Sequence, residues 1–474
     1  MLLLLTTKEW LAGIRTYALP AALLTLLLLI GIAFAGTYKR AESLRQSRVE
    51  ANAHFRQQWE QLQTGDPHSA AHFGTYIFKP ITLLSGFDGG LESVTGTSMR
   101  VEAHVQHAMA APPARAADAY LRFGALTPAS VLQLFFPLLI IFSCYNAYLQ
   151  EKHAGTLKLL LIQGATHRTI ISSKTRYYLA VVNVMLIAGL LVCIPALLFT
   201  GTPASDEALP LRLMILVLAY SSYCSIFVLI TMVISVIAAN ARQALILLSG
   251  IWLIWNIIIP RLGPGLAARI YPLPSQYLVQ EQIEKGIKMG IDGQTPREER
   301  QQQVIAATLK QYQVTSIDAL PVNMNALLMQ AGEDYSQRVY EHYTAKTDSI
   351  IDLQNRFTGY FALADPYLAV NSLSMALCGT DYLQQKHFDH TARTYRNDFI
   401  RRLNHELAYG GSRTGDEHWK VSASFYKSIP VFRYIPVSLS AVLRSQAWMI
   451  ASLLLWLTTG IVLLQIIARY VTTE

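Results

Sequence analysis

Charged side chains are scarce in this sequence of 474 residues, where Asp, Glu, Lys and Arg make up 15% and hydrophobic residues 52%. Soluble globular domains carry about a quarter charged residues, so the composition excludes that class for the chain as a whole. The net charge of +8 comes from basic residues spread along the chain, which argues against a nucleic-acid-binding protein. We therefore expect several membrane spans together with sizeable aqueous segments.

Cysteine is also rare, with four residues in the chain. Cys144, Cys193 and Cys224 lie in apolar runs, which leaves Cys378 as the one cysteine expected to face water outside the membrane. A single exposed cysteine cannot close an internal disulfide bond. No disulfide framework is therefore expected.

Three motifs of catalytic sites are absent: the P-loop G-x-x-x-x-G-K-[ST], the nucleophile elbow G-x-S-x-G and the zinc-binding H-E-x-x-H. The P-loop holds the phosphates of ATP with its backbone amides, so a chain without it does not bind ATP in that way. The sequence offers no catalytic residue, and we expect a protein that is not itself an enzyme.

Six long apolar runs stand out against the rest of the chain. Crossing the hydrocarbon core takes about 20 mostly apolar residues, and backbone groups in lipid must be paired internally, so these runs should be helices. The predicted spans cover residues 18–36, 131–149, 177–200, 211–239, 244–260 and 447–468. The expected fold is a mainly α membrane protein with six transmembrane helices.

The basic residues next to the spans predict which side each loop occupies, because Lys and Arg mark the cytoplasmic side of short loops. They occur in residues 1–17, in residues 150–176, at Arg242 between the fourth and fifth spans, and at Arg469 after the sixth. With six spans all four sites fall on one side. Both termini and segment 150–176 are therefore expected in the cytoplasm.

Two long segments, 37–130 and 261–446, then lie outside and should form one large extracytoplasmic domain that is α-rich with some strand. Lys39 and Arg40 break the charge pattern, but long translocated segments follow it only weakly. Within the first segment, residues 72–90 combine Gly, Pro and β-branched residues, which predicts strand and loop. The second segment carries apolar residues at helical spacing.

The N-terminal segment 1–17 is amphipathic and contains Trp10, which predicts a helix lying in the membrane interface. An alternative is a cleaved signal peptide, because Ala33 and Ala35 form an A-x-A pattern like that of a signal-peptidase site. The length of the leading segment and of the apolar run favours an uncleaved first span.

The segment EKHAGTLKLLLIQGATHRTIISSK, Glu151–Lys174, follows the second span and is both basic and Leu-rich. Its pattern E-x-x-x-G-T-L-x-x-L-L resembles that of type-two ABC transporter permeases. In that family this segment is the coupling helix, which docks into the partner ATPase. The resemblance assigns that role to Glu151, Gly155, Thr156, Leu157, Lys158, Leu160, Gly164, Thr166 and Arg168.

The geometry expected of this segment follows from its residue types. Lys158 and Arg168 should face an acidic docking cleft while the Leu residues lie against the spans. Thr166 is a plausible N-cap of the next helix. One departure from the family pattern is Gly164, which stands where the family usually has proline, so the local geometry there is open.

Three further motifs narrow the resemblance. Residues 72–80, 90–104 and 372–388 are similar to a bacterial subfamily of these permeases with large extracytoplasmic insertions after the first and fifth spans. That inserted domain has no known function. The resemblance covers nearly the whole chain.

The resemblance implies a permease subunit of the exporter class in the bacterial inner membrane. It implies separate ABC ATPase subunits, which would bind ATP and Mg, and a second permease chain, identical or paralogous. This chain itself would bind no cofactor. The rival interpretation is a membrane-anchored sensor or assembly factor whose outer domain binds a partner without transport, although a sensor has no need of the coupling segment.

Histidine is the residue type that most suggests a metal site. The pairs His104 and His107, and His387 and His390, are spaced i, i+3, which on a helix places two imidazoles on one face. Met99 and Met109 lie near the first pair and would suit copper. The simpler interpretation is a structural or solvated role for these histidines, and we predict no metal site.

Polar residues within spans are costly and often functional. The candidates here are Asn146, Asn183 and Asn256. Each is expected either to line a path for the substrate or to hydrogen-bond to a neighbouring helix.

Overall fold

The computed structural model of the chain describes residues 2–15, 17–62, 65–82, 84–110, 126–199, 208–416 and 419–471. In these residues six helices are long and apolar enough to cross a membrane, and the strands form one two-stranded sheet. The prediction of a mainly α membrane protein with six spans is confirmed.

The N-terminal part of the chain contains the first span and a small α/β unit. Its elements are α1 (Leu2–Arg15), α2 (Ala18–Glu60), α3 (Pro67–Phe73), β1 (Thr75–Phe78), α4 (Glu92–Thr95) and β2 (Ser98–Val101). The two strands pair antiparallel, with Thr75 opposite Val101 and Phe78 opposite Ser98. The strand expected in residues 72–90 is thus present.

The middle of the chain contains spans 2 to 5. Its elements are α5 (Pro128–Ser130), a π-helical turn (Val131–Phe135), α6 (Phe136–Cys144), α7 (Leu149–His153), α8 (Thr156–Ile162), α9 (His167–Phe199), α10 (Leu209–Ile237), α11 (Ala241–Leu253), a second π-helical turn (Ile254–Ile258) and α12 (Ile259–Ile270). The run from α5 to α7 is span 2, α9 is span 3, α10 is span 4, and α11 with α12 is span 5.

The C-terminal part is helical, as its apolar spacing predicts. Its elements are α13 (Gln276–Met289), α14 (Arg297–Tyr312), a 3-10 turn (Ile317–Ala319), α15 (Met324–Tyr360), a second 3-10 turn (Phe361–Leu363), α16 (Pro366–Cys378), α17 (Tyr382–Tyr409), α18 (Ala423–Ser428), α19 (Leu439–Ser445) and α20 (Ala447–Tyr470). Helix α20 is span 6. The long helices α15 and α17 pack against each other.

Span 4 is the centre of the helix bundle. It packs against α6, α9, α16 and α20, and its Tyr220 and Tyr223 are fully buried. Span 6 approaches it closely at Gly460, where a Cβ atom would lie 3.1 Å from Leu229 Cδ1. Small residues allow such close approach of helices in lipid, where burial of apolar surface does not drive association.

A chain of hydrogen bonds joins the bundle to both inserted segments. Gln133 of span 2 donates to the Tyr220 hydroxyl over 2.9 Å, and that hydroxyl lies 3.0 Å from Ser374 Oγ on α16. Ser374 in turn donates to the buried carboxyl of Asp88. These four buried side chains thereby have partners, and the first inserted segment, the second and the spans share one polar core.

Several span helices extend beyond the predicted span boundaries, and those of spans 1 and 5 do so at their C-terminal ends. Helix α2 continues from span 1 as far as Glu60, well beyond the predicted end at residue 36, and the helix of span 5 continues beyond residue 260 to Ile270. Hydropathy marks where a helix leaves lipid, whereas a helix ends only where its backbone is interrupted. Neither glycine nor proline occurs between residues 37 and 60, so nothing in the sequence interrupts α2.

The prediction that Cys378 faces water is wrong. This residue ends α16 and its side chain is buried. Helix α16 is too short to span a membrane, yet it packs against spans 4 and 6 with an apolar face. Hydropathy did not identify α16 as part of the helix bundle, because its 13 residues are too few to cross a membrane.

The buried carboxyl of Asp365 makes the stability of the protein depend on pH. Asp365 caps α16, where Oδ1 accepts the Tyr367 amide hydrogen over 2.8 Å, and its burial raises the pKa to about 8. A raised pKa means that the folded state holds a proton that the unfolded state releases, so stability is lost as pH rises toward 8. We predict that Asp365→Asn, which keeps the cap without the charge, raises the unfolding midpoint more at pH 8.5 than at pH 5.

Thermal unfolding in detergent at the two pH values measures this difference. Asp292→Asn is the control, because hydrogen bonds from Thr295 and the neighbouring backbone lower the pKa of that exposed carboxyl. Its effect should be the same at pH 5 and pH 8.5. An equal effect of Asp365→Asn at both pH values would contradict the assignment of a raised pKa.

Candidate functional site

The segment between spans 2 and 3 folds into two short helices separated by glycine turns. Helix α7 ends at His153, α8 covers Thr156–Ile162, and α9 begins at His167. Gly155 and Gly164 have φ angles of 72° and 89°, in the left-handed region that favours glycine. A short helix therefore lies at the predicted place, bounded on each side by a residue that few side chains could replace.

Gly164 explains the one departure from the family pattern. Its φ of 89° is far from the value near −65° to which the proline ring is locked. Proline could not replace Gly164 without changing the turn. Two residues later Thr166 accepts the Thr169 amide hydrogen over 3.2 Å, so the predicted N-cap of span 3 is present.

A cluster of four charged side chains, Lys8, Glu9, Glu151 and Lys174, fixes the inner side of this segment. Glu151 Oε1 lies 2.8 Å from Lys8 Nζ of α1 and 3.1 Å from Lys174 Nζ of span 3. Lys174 also contacts Glu9 of α1 over 2.8 Å. Glu151 and Lys174 are both buried, so their charges are only partly screened by water.

Glu151 also holds the first turn of α8. The hydroxyl of Thr156, the first residue of α8, donates to the Glu151 carboxylate. One carboxylate therefore connects four elements: α1, α7 at the end of span 2, α8, and span 3. The sequence assigned Glu151 to the segment, but its contacts are within the chain and its carboxylate does not lie on the exposed surface.

The outer side of α8 is both basic and apolar. Lys158 and Arg168 are exposed, as predicted, and Leu157 is buried with Leu160 packed against the core of the bundle. Leu159 and Ile162, however, are 59% and 83% exposed. The expectation that all Leu-rich positions lie against the spans is thus wrong for this turn of the helix, which presents an apolar pair beside Lys158.

Helix α1 completes this side of the protein. Trp10 packs edge-on against Tyr177 of span 3 at 5.3 Å between ring centroids, and Leu5 is buried. Leu3, Leu4 and Leu11 are exposed. A helix with one face on the bundle and an exposed apolar face suits the predicted interfacial position, which stays a prediction.

Two of the three span asparagines have partners on other spans. Asn183 accepts from Ser221 of span 4, and Asn256 accepts from Tyr223 over 3.0 Å. Asn146 Oδ1 is buried and has no hydrogen-bond partner among the described residues. Path-lining by these residues stays a prediction.

The two π-helical turns meet at Tyr223. Its hydroxyl contacts the Gln133 carbonyl over 2.9 Å in the first turn and Asn256 Oδ1 in the second. Such turns often lie at functional positions. Sequence reasoning missed Gln133, although a glutamine within an apolar run is the same kind of signal as the asparagines.

Of the two histidine pairs with i, i+3 spacing, one does not lie on a helix. His104 and His107 lie in a loop, His104 with φ of 63°, so the first pair does not share a helix face. His387 and His390 lie on α17, where His387 Nδ1 is 3.2 Å from the Tyr434 hydroxyl. Met99 is buried in the core and Met109 packs against it.

The structure instead brings His104 to His68 and His72 of α3. One ring nitrogen of each lies within 4.8 Å of the others. Burial and the two neighbouring imidazoles lower the pKa of His68. Sequence reasoning missed His68 and His72 as a pair, although their i, i+4 spacing was a usable signal.

The sequence behind this arrangement of spans, α8 and inserted segments matches known protein families. The sequence profile of ABC-2 family transporter proteins matches residues 3–329, which is more than half of the chain. The chain belongs to the ABC-2 family of transporter proteins. It is therefore a multi-pass membrane protein and a permease component of an ABC transporter, a family that works with ABC ATPase subunits.

The permease also contains an additional domain. A profile of a domain of unknown function (DUF3526) matches residues 276–435, which correspond to α13 to α18 and the loop after them. The predicted resemblance to ABC permeases with a large inserted domain is confirmed. Comparison with curated proteins and with solved structures gave no match.

The charge cluster predicts a specific loss of stability. We expect Glu151→Gln to lower the free energy of unfolding by about 2 kcal/mol, because it removes a charged acceptor from two lysines, one of them buried. The measurement is thermal unfolding of the detergent-solubilised permease. Lys158→Gln, on the exposed side of the same segment, is the control and should leave the midpoint unchanged.

An unchanged midpoint for Glu151→Gln would contradict the structural role of the cluster. This expectation also means that a Glu151 variant is a poor test of ATPase docking, since lost folding and lost docking would give the same loss of activity.

Proposed function

We propose that this permease is the membrane subunit of an ATP-driven exporter in the bacterial inner membrane, with α8 as the helix that docks into its ATPase. The observation that supports docking is the combination of two faces on one short helix. The inner face is held by Glu151 and Leu157, while the outer face exposes Lys158, Leu159 and Ile162. An exposed apolar pair beside a basic residue suits a protein interface with an acidic rim.

The proposed orientation places α1, α8 and the C-terminal end of α20 in the cytoplasm. Lys8, Arg15 and Lys158 lie on this side, as does Arg469 in the last turn of α20. Basic residues near the ends of spans favour the cytoplasmic side. The inserted segments, which contain the β-sheet and α13 to α18, would then face the outside.

The charge cluster supports a route by which ATPase motion reaches the spans. Helix α8 has seven residues and contacts span 3 through a tight turn. Because Glu151 bonds to Lys8, Lys174 and Thr156, displacement of α8 acts on α1 and span 3 together. ATP binding and hydrolysis on the partner, with Mg, would tilt these helices as one unit.

A second permease chain, identical or paralogous, is part of this proposal. Spans 1, 5 and 6 bury 17%, 17% and 22% of their apolar windows within the chain, against 50% for span 4. Their outer faces therefore contact lipid or another protein chain. Six spans would form half of the pore, and the second chain would supply the other half. The inserted segments would receive, gate or pass on the substrate.

A charge placed on the exposed side of α8 tests ATPase docking. We predict that Ile162→Asp reduces the amount of ATPase retained by the purified permease at least about tenfold, as expected for loss of an apolar contact at the centre of an interface. Because Ile162 is 83% exposed, folding should be unaffected. The measurement is co-purification from native membranes together with ATPase activity.

Ile435→Asp is the matched control, since Ile435 is 78% exposed and lies in the second inserted segment. It should retain the ATPase at the level of the unmodified chain. Full retention by Ile162→Asp would contradict docking through α8. Absence of any ATPase from the unmodified chain, with a partner of the inserted segments in its place, would favour a sensor or assembly factor instead.

A further inference from the structure

Three imidazoles meet at the end of the β-sheet where Thr75 pairs with Val101. His68 and His72 project from α3 one turn apart, with 3.2 Å between their Nε2 atoms. The ring of His104 lies 5.4 Å from that of His68 and 5.1 Å from that of His72, measured between centroids. A nitrogen of each ring lies within 4.8 Å of the other two.

The local fold places these rings together. Asp66 caps α3 by accepting the amide hydrogens of His68 and Ser69 over 2.8 and 3.0 Å. Gly74 ends the helix, and a Cβ atom there would lie 2.1 Å from the Val101 carbonyl oxygen of β2. Only glycine therefore lets α3 approach the strand that leads to His104.

His104 is oriented by the second inserted segment. Glu333 of α15 lies 3.0 Å from His104 Nδ1 and accepts the His104 backbone amide hydrogen over 2.6 Å. The same carboxylate contacts Arg396 of α17 over 2.7 Å, and both residues are buried. A carboxylate on Nδ1 fixes the tautomer of a histidine and leaves the lone pair on Nε2, as is usual around protein metal sites.

We propose that His68, His72 and His104 bind a divalent metal ion of the zinc class. Zn–N bonds of about 2.0–2.1 Å in a tetrahedron place two ligand nitrogens about 3.3 Å apart, close to the spacing of His68 and His72. His104, whose ring nitrogen lies within 4.8 Å of both, would be the third ligand. Three imidazole ligands without a carboxylate ligand suit zinc or copper rather than calcium or magnesium.

The proposed metal site is open to solvent on one side, and a bound ion would connect the two inserted segments. His72 and His104 are exposed, so a fourth position is accessible to water or to a ligand from solution. The ion would join α3 to the loop after β2 and, through Glu333, to α15. It would thereby fasten the first inserted segment to the second, which goes beyond the transport role and does not depend on ATPase docking.

Zinc binding to the full-length permease tests the proposal. The chain is purified in detergent with a tag that lacks histidine, stripped with a chelator and titrated with Zn²⁺ by calorimetry. We expect one ion per chain at micromolar affinity and, with Co²⁺ instead, the visible absorption of a four-coordinate site. His72→Ala and His104→Ala should each weaken binding at least about tenfold.

The controls are His390→Ala on α17 and His107→Ala in the same loop as His104, and both should bind as the unmodified chain does. Glu333 positions His104 without binding the ion, and Glu333→Gln should weaken zinc binding about 10- to 100-fold. Among these variants His72→Ala is the least prone to misfolding, because the His72 side chain is exposed. No binding by the unmodified chain, or equal binding by His72→Ala and His104→Ala, would overturn the site.

Discussion

The carboxylate of Glu151 makes the interactions on which the α1 and α8 end of this permease depends. It lies between Lys8 of α1 and Lys174 of span 3 and accepts a hydrogen bond from the first residue of α8. A buried carboxylate with such partners is costly to leave unpaired, so these contacts resist separate movement of the four elements. The exposed face of α8 can therefore act on the spans without an intervening flexible joint.

At the other end of the bundle, a second polar network links the spans to the inserted segments. Gln133, Tyr220 and Ser374 carry hydrogen bonds from span 2 through span 4 to Asp88. In the proposed orientation the cytoplasmic network and this outer network are both anchored on the same bundle. A change of helix tilt at α8 then has a physical route to the inserted segments, where Glu333 and Arg396 join α15 to α17 and to the loop of His104.

The sequence predicted the parts of the protein that depend on local composition. Apolar length identified six spans, and Gly155 and Thr166 marked where α8 and the helix of span 3 begin. Helix ends were missed at Glu60 and Ile270, because leaving lipid does not end a helix. The role of Glu151 was missed because Lys8 lies 143 residues away in the sequence. The histidine cluster was missed because the antiparallel pairing of β1 with β2 brings His104 back to α3. The spacing of residues along the sequence does not reveal such contacts between distant residues.

The most direct test of the central claim is a contact measurement in native membranes. A photo-crosslinking amino acid is placed at Ile162, and a second protein carries it at Ile435. The account predicts that Ile162 crosslinks to a protein with Walker motifs, that ATP changes the yield, and that Ile435 gives no such product. A crosslink to a Walker-type ATPase from Ile435, or none from Ile162 in a complex that retains its ATPase, would contradict the account.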